Sequence, residues 1–247
     1  MLKKIILGLD GYTSFNQIES KLNEIYQLPR IWELVSHIKI NDIVYNNDGC
    51  MTMSKILDWK LSKNLDVGIF LDLKLSDTSG TNMNIINQYL ERGLHPDILT
   101  IRESCSSKTF KSIRGILPYT TLALVSVLTD TSEDECFMRY GMSPQDKIIR
   151  DTSSVNSLCP GVLDAIVCSP HECKALKEKF PDMKLISPGI RDHWMNSGQQ
   201  KRHAGVKYAI NEGADYLVMV SQLTKGNPDK NISPQESIEL TINEILS

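Results

Sequence analysis

Eight short apolar runs recur along the 247 residues, each followed by a segment with helical periodicity. The runs are IILGLD (5–10), SHIKIN (36–41), VGIFLDLKL (67–75), DILTIRE (97–103), TLALVSVLT (121–129), AIVCS (165–169), KLISPG (184–189) and YLVMVSQ (216–222). Between them, stretches such as FNQIESKLNEIYQL and NIINQYLERG repeat apolar residues at three- and four-residue steps, as in Ile18, Leu22 and Ile25. Gly93 and Gly213 fall where helix C-caps are expected. Strict strand–helix alternation implies parallel strands with right-handed crossovers, and eight repeats imply a closed (β/α)8 TIM barrel. The competing architecture, an open doubly wound sheet, expects a G-x-G-x-x-G turn after the first strand, which this chain does not have. With no linker or low-complexity segment, residues 1–247 read as one barrel domain.

Within that pattern GIFLDLKLSD, Gly68 to Asp77, is unusual. Alternation along a strand puts Asp72 and Lys74 on one face and Leu71, Leu73 and Leu75 on the other. One reading is an exposed edge strand carrying a same-face ion pair. The other is a strand covered on both faces, suggested by the run Val67, Ile69, Phe70 and Leu71, with its charges pointing inward. Buried charges cost several kcal/mol unless paired, so a chain that keeps them there has a use for them.

The eightfold count favours the second reading, because sites in such barrels lie at the C-terminal ends of the strands. Polar residues gather there: Asp10, Lys39, Asp72, Lys74, Asp77, Arg102, Thr129, Thr131, Ser132, Ser169 and Arg191, the last preceded by Pro188 and Gly189 after strand seven. Lys39 lies between Ile38 and Ile40 and so faces the barrel centre rather than the helices, although a strand lysine more commonly snorkels to solvent. An alternating Lys39–Asp72–Lys74–Asp77 network follows, in which each group fixes its neighbour's protonation. Two lysines and two aspartates, with neither a metal triad nor a Ser–His pair, suit chemistry that generates a carbanion and then protonates it. Decarboxylation, aldol chemistry and enolisation all fit.

Bulk properties exclude other classes. A net charge of -3 gives no electrostatic case for nucleic acid or an anionic membrane as partner. No apolar stretch approaches the ~20 residues of a membrane span, and MLKKIILGLDGY lacks a signal-peptide core of adequate length. The six cysteines form no C-x-x-C pair and read as reduced thiols of a cytoplasmic protein, with no zinc site expected.

The chain resembles the orotidine 5′-monophosphate decarboxylase family over nearly its whole length. The matching pieces are LGLD ending at Asp10, HIKIN at Lys39, FLDLKLSD at 70–77, VLT at 127–129, VCSPHE at 167–172, PGIR at 188–191, QQKR at 199–202 and EGADYLV at 212–218. The D-x-K-x-x-D element is shared with sugar-phosphate relatives, whereas PGIR followed by Q-x-R and GADYLV is more specific. The resemblance implies a metal- and cofactor-independent carbon–carbon lyase that converts orotidine 5′-monophosphate to UMP in pyrimidine biosynthesis. It implies that Lys74 protonates the ring carbon vacated by carbon dioxide, that Asp72 sits against the substrate carboxylate, and that Lys39 orients Asp72. Asp10 and Lys39 would contact the ribose, and Thr131 or Ser132 would read the pyrimidine edge. Arg191 and Gln200 would belong to the loop over base and phosphate. Asp77 and Thr81 would reach the partner's site in a homodimer.

Departures bear on the substrate. The family carries Gly-Arg after strand eight to hold the phosphate, and this chain has Val220-Ser221. Serine cannot replace a bidentate, permanently charged ligand in kind; Lys201 and Lys225 are nearby in sequence. Strand four ends in Arg102-Glu103 instead of His-Ala, Thr78-Ser79-Gly80-Thr81 replaces Ile-Pro-Asn-Thr, and Asn41 replaces glycine. An alternative is therefore a repurposed paralog acting on a related nucleoside or heterocyclic acid, with Ser221 in the altered phosphate site. The sugar-phosphate branch needs a magnesium site, for which Asp42 is close but the local motif differs. A non-catalytic nucleotide-binding homologue has no use for the four charges.

Overall fold

The computed structural model describes residues 3–45, 49–195 and 202–247. Eight strands form a closed, all-parallel barrel in sequence order: β1 (Ile5–Gly8), β2 (Val35–Ile40), β3 (Gly68–Leu75), β4 (Ile98–Arg102), β5 (Thr121–Val125), β6 (Ala165–Val167), β7 (Lys184–Ser187) and β8 (Tyr216–Met219), with β8 pairing back onto β1. This is the (β/α)8 barrel expected from the alternation. The helices are α1 (Phe15–Tyr26), α2 (Pro29–Trp32), α3 (Gly49–Ser62), α4 (Ser79–Leu90), α5 (Ser107–Ile116), α6 (Glu133–Tyr140), α7 (Pro144–Leu158), α8 (Cys173–Lys179), α9 (Val206–Asn211), α10 (Ser221–Thr224) and α11 (Pro234–Leu246). Gly93 and Gly213 adopt positive φ (71° and 99°), the backbone region glycine enters without a Cβ penalty. Ser106, Ser132, Ser143 and Ser233 cap α5, α6, α7 and α11, each side-chain oxygen accepting from the N–H three residues on.

Strand alternation divides the core in two. Outward residues such as Leu7, Ile38, Ile69, Leu71, Leu99, Leu122, Ile166, Leu185 and Leu217 pack under the helices. Inward residues Ile6, Phe70, Ile98, Ala123, Ala165, Ile186 and Val218 form a separate cluster that fills the barrel. Two charged rims close the ends differently. At the N-terminal rim, carboxylates tie adjacent strands: Asp97 accepts from the Ile69 N–H at 2.6 Å, and Asp164 and Asp215 accept from the Leu122 and Leu185 N–H groups at 2.8 Å each. These satisfy backbone donors that the parallel ladder leaves open at its start.

All strands but β3 end earlier than their apolar runs. The fifth run continues to Thr129 while β5 stops at Val125, and the eighth continues past β8 into α10. Hydrophobicity persists there because the residues beyond the ladder, Val127 and Val220 among them, line a cavity instead of pairing. Among the described residues, no helix is long and apolar enough to cross a membrane.

Candidate active site

The second layer of inward side chains, one step toward the C-terminal rim, changes character around the barrel. On the β1–β4 side it is polar: Lys39, Asp72 and Thr100 are all buried. On the β5–β8 side it is apolar, with Val125, Val167 and Val220 lining the same space. The resulting cavity holds about 320 Å3 and is also bordered by Asp10, Asn41, Phe70, Lys74, Leu128, Thr129, Asp130, Pro188, Gly189 and Arg191.

Four charges run across its floor. The Lys39 ammonium donates to both Asp10 oxygens at 2.7 and 2.9 Å and lies 3.5 Å from Asp72. Lys74 donates to Asp72 Oδ2 at 2.8 Å. Asp72 Oδ1 accepts from the Thr100 hydroxyl at 2.8 Å, so the buried carboxylate is satisfied on both oxygens. Lys39 and Asp72 expose only 5% and 9% of their side chains, whereas Lys74 exposes 30% and faces the cavity. Asp10 therefore occupies one end of the chain of charges within this polypeptide. Asp77 is elsewhere: it is exposed just before α4, and its carboxylate accepts from the Thr78 N–H at 2.6 Å. Thr81 is exposed in the first turn of the same helix.

Burial alone would lower the pKa of Lys39; the Asp72 and Asp10 carboxylates override it and hold the pKa above the usual lysine value. Burial would likewise raise Asp72, but the two ammonium groups and the hydrogen bonds from Lys74 and Thr100 hold it below the ordinary carboxylate range. Both groups are therefore charged across the neutral range. Asp77 is also lowered, by the Thr78 N–H first and then by Thr81.

Lys74 reaches its place through a break in the strand. Leu71 pairs with Leu99 and Leu75 with Ile101, so four steps on β3 face two on β4. Lys74 sits in this bulge with φ of 48°, and its N–H donates to Thr100 Oγ1 at 2.9 Å. One hydroxyl thus fixes the backbone of Lys74 and the carboxylate of Asp72 together. Thr100 is not among the residues expected above; its signal in the sequence is that it is the one polar residue on the inward positions between Ile98 and Arg102 of β4.

The remaining expected residues separate. Arg191 borders the cavity; its guanidinium donates to the Ile190 carbonyl at 2.9 Å, forms no ion pair among the described residues, and is pushed down in pKa by burial. Thr129 and Asp130 border the cavity, whereas Thr131 and Ser132 do not; the Ser132 side chain is committed to a capping box with Glu135. Val220 points into the cavity over Gly8, where an added Cβ would lie 2.6 Å from the Val220 methyl. Ser221 begins α10 outside the cavity lining, and Lys225 is exposed at that helix's end. Arg102 is also outside the lining: it pairs with Glu103 at 3.1 Å, which lies 3.5 Å from the buried Lys147 of α7. Gln200 and Lys201 lie outside the described residues. No cluster of three or more metal-ligating side chains occurs among the described residues.

The profile of the orotidine 5′-phosphate decarboxylase / HUMPS family matches residues 4–232. The chain belongs to this family. An orotidine 5′-phosphate decarboxylase of Pasteurella multocida is 28% identical over 98% of this chain and 100% of its own length. One of Psychromonas ingrahamii is 32% identical over 68% of this chain and 72% of its own. In structure, the chain is similar to the orotidine 5′-phosphate decarboxylase of Lactobacillus acidophilus, with a TM-score of 0.70 and 21% identity over 99% of this chain and 100% of that one. As a member of the family the chain is a carbon–carbon lyase.

Proposed function

We propose that the cavity decarboxylates orotidine 5′-monophosphate to UMP, using Lys39, Asp72 and Lys74 of one subunit. The observation that carries this reading is the Asp72 carboxylate held between two ammonium groups on the cavity floor. A substrate carboxylate set against Asp72 meets like charge in a site of low dielectric, which is relieved when carbon dioxide leaves. The carbon–carbon bond breaks, its electron pair stays on the ring carbon, and the adjacent Lys74 ammonium stabilises it and transfers a proton there. Lys74 then regains a proton from water. Asp10 would bind the ribose together with Lys39. Of Thr131 and Ser132, Thr131 would approach the pyrimidine from the rim beyond Asp130, since the Ser132 hydroxyl caps α6, and Arg191 and Gln200 would take the phosphate end. The reaction belongs to pyrimidine biosynthesis in the cytoplasm and uses no cofactor.

We also infer a homodimer in which Asp77 and Thr81 complete the partner's site. Asp77 is exposed on the rim and takes no part in its own chain's charge network, and Tyr45, whose hydroxyl donates to the Leu73 carbonyl late in β3, is 73% exposed. Large exposed aromatics of this kind are enriched at interfaces. Sedimentation velocity should give twice the chain mass; an active monomer would contradict it.

Val220 favours a second reading, in which the ligand is a nucleoside or heterocyclic acid without phosphate, because an apolar side chain stands at the β8 rim and Ser221 is turned out of the lining. Calorimetric titration separates the two. If the phosphate is bound, UMP should bind about a hundredfold more tightly than uridine, as charge-assisted contacts to a dianion allow. The double variant Val220→Gly/Ser221→Arg should then tighten UMP further and raise turnover of orotidine 5′-monophosphate. Equal affinities, with no gain in the double variant, would favour the second reading.

A further inference from the structure

Behind the cavity wall lies a buried ion pair that the proposed chemistry does not use. Glu172, in the turn after β6, and Arg202 are 4% and 8% exposed, and Arg202 Nη1 donates to Glu172 Oε1. The second Glu172 oxygen accepts from the Ser169 N–H at 2.6 Å, and the Ser169 hydroxyl donates to the Arg202 carbonyl at 3.3 Å. The other arm of the guanidinium, Nη2, donates to the Leu128 carbonyl at 3.1 Å. Leu128 borders the cavity, and its carbonyl also accepts from the Thr131 N–H at 3.0 Å. Two residues beyond Arg202, Ala204 donates to the Gly189 carbonyl at 3.1 Å and accepts from the Arg191 N–H at 2.8 Å, and Gly189 and Arg191 border the cavity too. Arg202 thus connects two cavity segments through the turn after β6: its guanidinium holds the one that follows β5, and the backbone two residues on holds the one that follows β7.

A buried ion pair is an inefficient way to gain stability, since a well-packed apolar pair of similar volume commonly does as well or better. What only a guanidinium supplies is a planar fork with donors in two fixed directions. We infer that Arg202 is a positioning residue: held by Glu172, it fixes the Leu128 and Gly189–Arg191 walls of the cavity against each other. Its kinetic consequence rests on the decarboxylase reading; its structural consequence does not.

Two amides report the wall directly, those of Thr131 and Arg191. In the double variant Glu172→Leu/Arg202→Met, melting temperature should be retained, whereas hydrogen exchange at both amides should accelerate about tenfold with the β-strand amides unchanged. kcat/KM for orotidine 5′-monophosphate should fall about tenfold, the loss residing in KM because binding rather than proton transfer is disturbed. Unchanged exchange at the two amides, or an unaltered kcat/KM in an active enzyme, overturns the inference. If the double variant does not fold, Arg202→Lys keeps a charge toward Glu172 but loses the fork, and the same local exchange decides. A wild-type protein without turnover counts against the decarboxylase reading alone, since the exchange result stands apart from it.

Discussion

Replacing Lys74 with alanine is expected to lower the rate of decarboxylation by about 10^4-fold, the upper range for loss of a positioned general acid that also stabilises the developing charge. The fold should survive, because Lys74 is partly exposed and Asp72 keeps Lys39 and Thr100 as partners. Nucleotide affinity should change far less than rate. A further control comes from the backbone. Lys74 holds a positive φ of 48°, which costs an L-residue roughly 1 kcal/mol that glycine avoids. Lys74→Gly should therefore be at least as stable as Lys74→Ala and equally inactive. Steady-state kinetics with thermal melts measure both, and a Lys74→Ala protein retaining more than a tenth of the wild-type rate would remove the lysine from the chemistry.

Asp72→Asn should damage rate and stability together. The carboxamide keeps the size of the side chain and an acceptor for Thr100, but presents an N–H2 where a carboxylate met two ammonium groups. Removing one member of a buried charge network typically costs about 3–5 kcal/mol, because the partners stay buried without compensation. Loss of the preorganised negative charge should lower the rate by about 10^2- to 10^3-fold. The pH dependence has a definite sign. The folded pKa of Asp72 is held below its ordinary value, so its stabilising contribution is present above the carboxylate range and lost as pH falls through the lowered pKa. The Lys39 pKa is held above its ordinary value, so its contribution is present at lower pH and lost as pH rises through the raised pKa. The difference in unfolding free energy between wild type and Asp72→Asn should thus stay level across neutral pH and shrink in acid. Denaturant melts at several pH values measure it; a difference that already shrinks between mildly acidic and neutral pH would mean Asp72 is not held ionised by its lysines.

Much of this arrangement is legible in residue pattern alone, for identifiable reasons. The alternation of Leu71, Asp72, Leu73 and Lys74 separates an outer apolar face from inner charges, and Lys39 between two isoleucines belongs to the same interior. Period-two patterning is a local property and survives in the fold. The bulge is not local: it depends on how β3 registers against β4, and nothing in GIFLDLKLSD announces the positive φ at Lys74. Thr100 is legible only as a polar inward residue of β4; its role is not, since its two hydrogen bonds exist only once that register is set. Ser132 shows the reverse case. The spacing of Ser132 and Glu135 is a capping-box signature readable from sequence, and the structure spends the hydroxyl on the helix end. Arg102 and Glu103 stand at a rim position in sequence, yet neither lines the cavity: Arg102 pairs with Glu103, whose carboxylate also faces Lys147 of α7.

In the proposed reaction this cavity breaks a carbon–carbon bond of orotidine 5′-monophosphate and returns a proton from Lys74 to the vacated carbon. The most direct measurement is turnover in deuterium oxide, with the product read by proton NMR. UMP carrying one deuterium at the former carboxylate position, formed by the wild-type protein and not by Lys74→Ala, is the predicted result. A folded wild-type protein that forms no UMP at high enzyme concentration would contradict it.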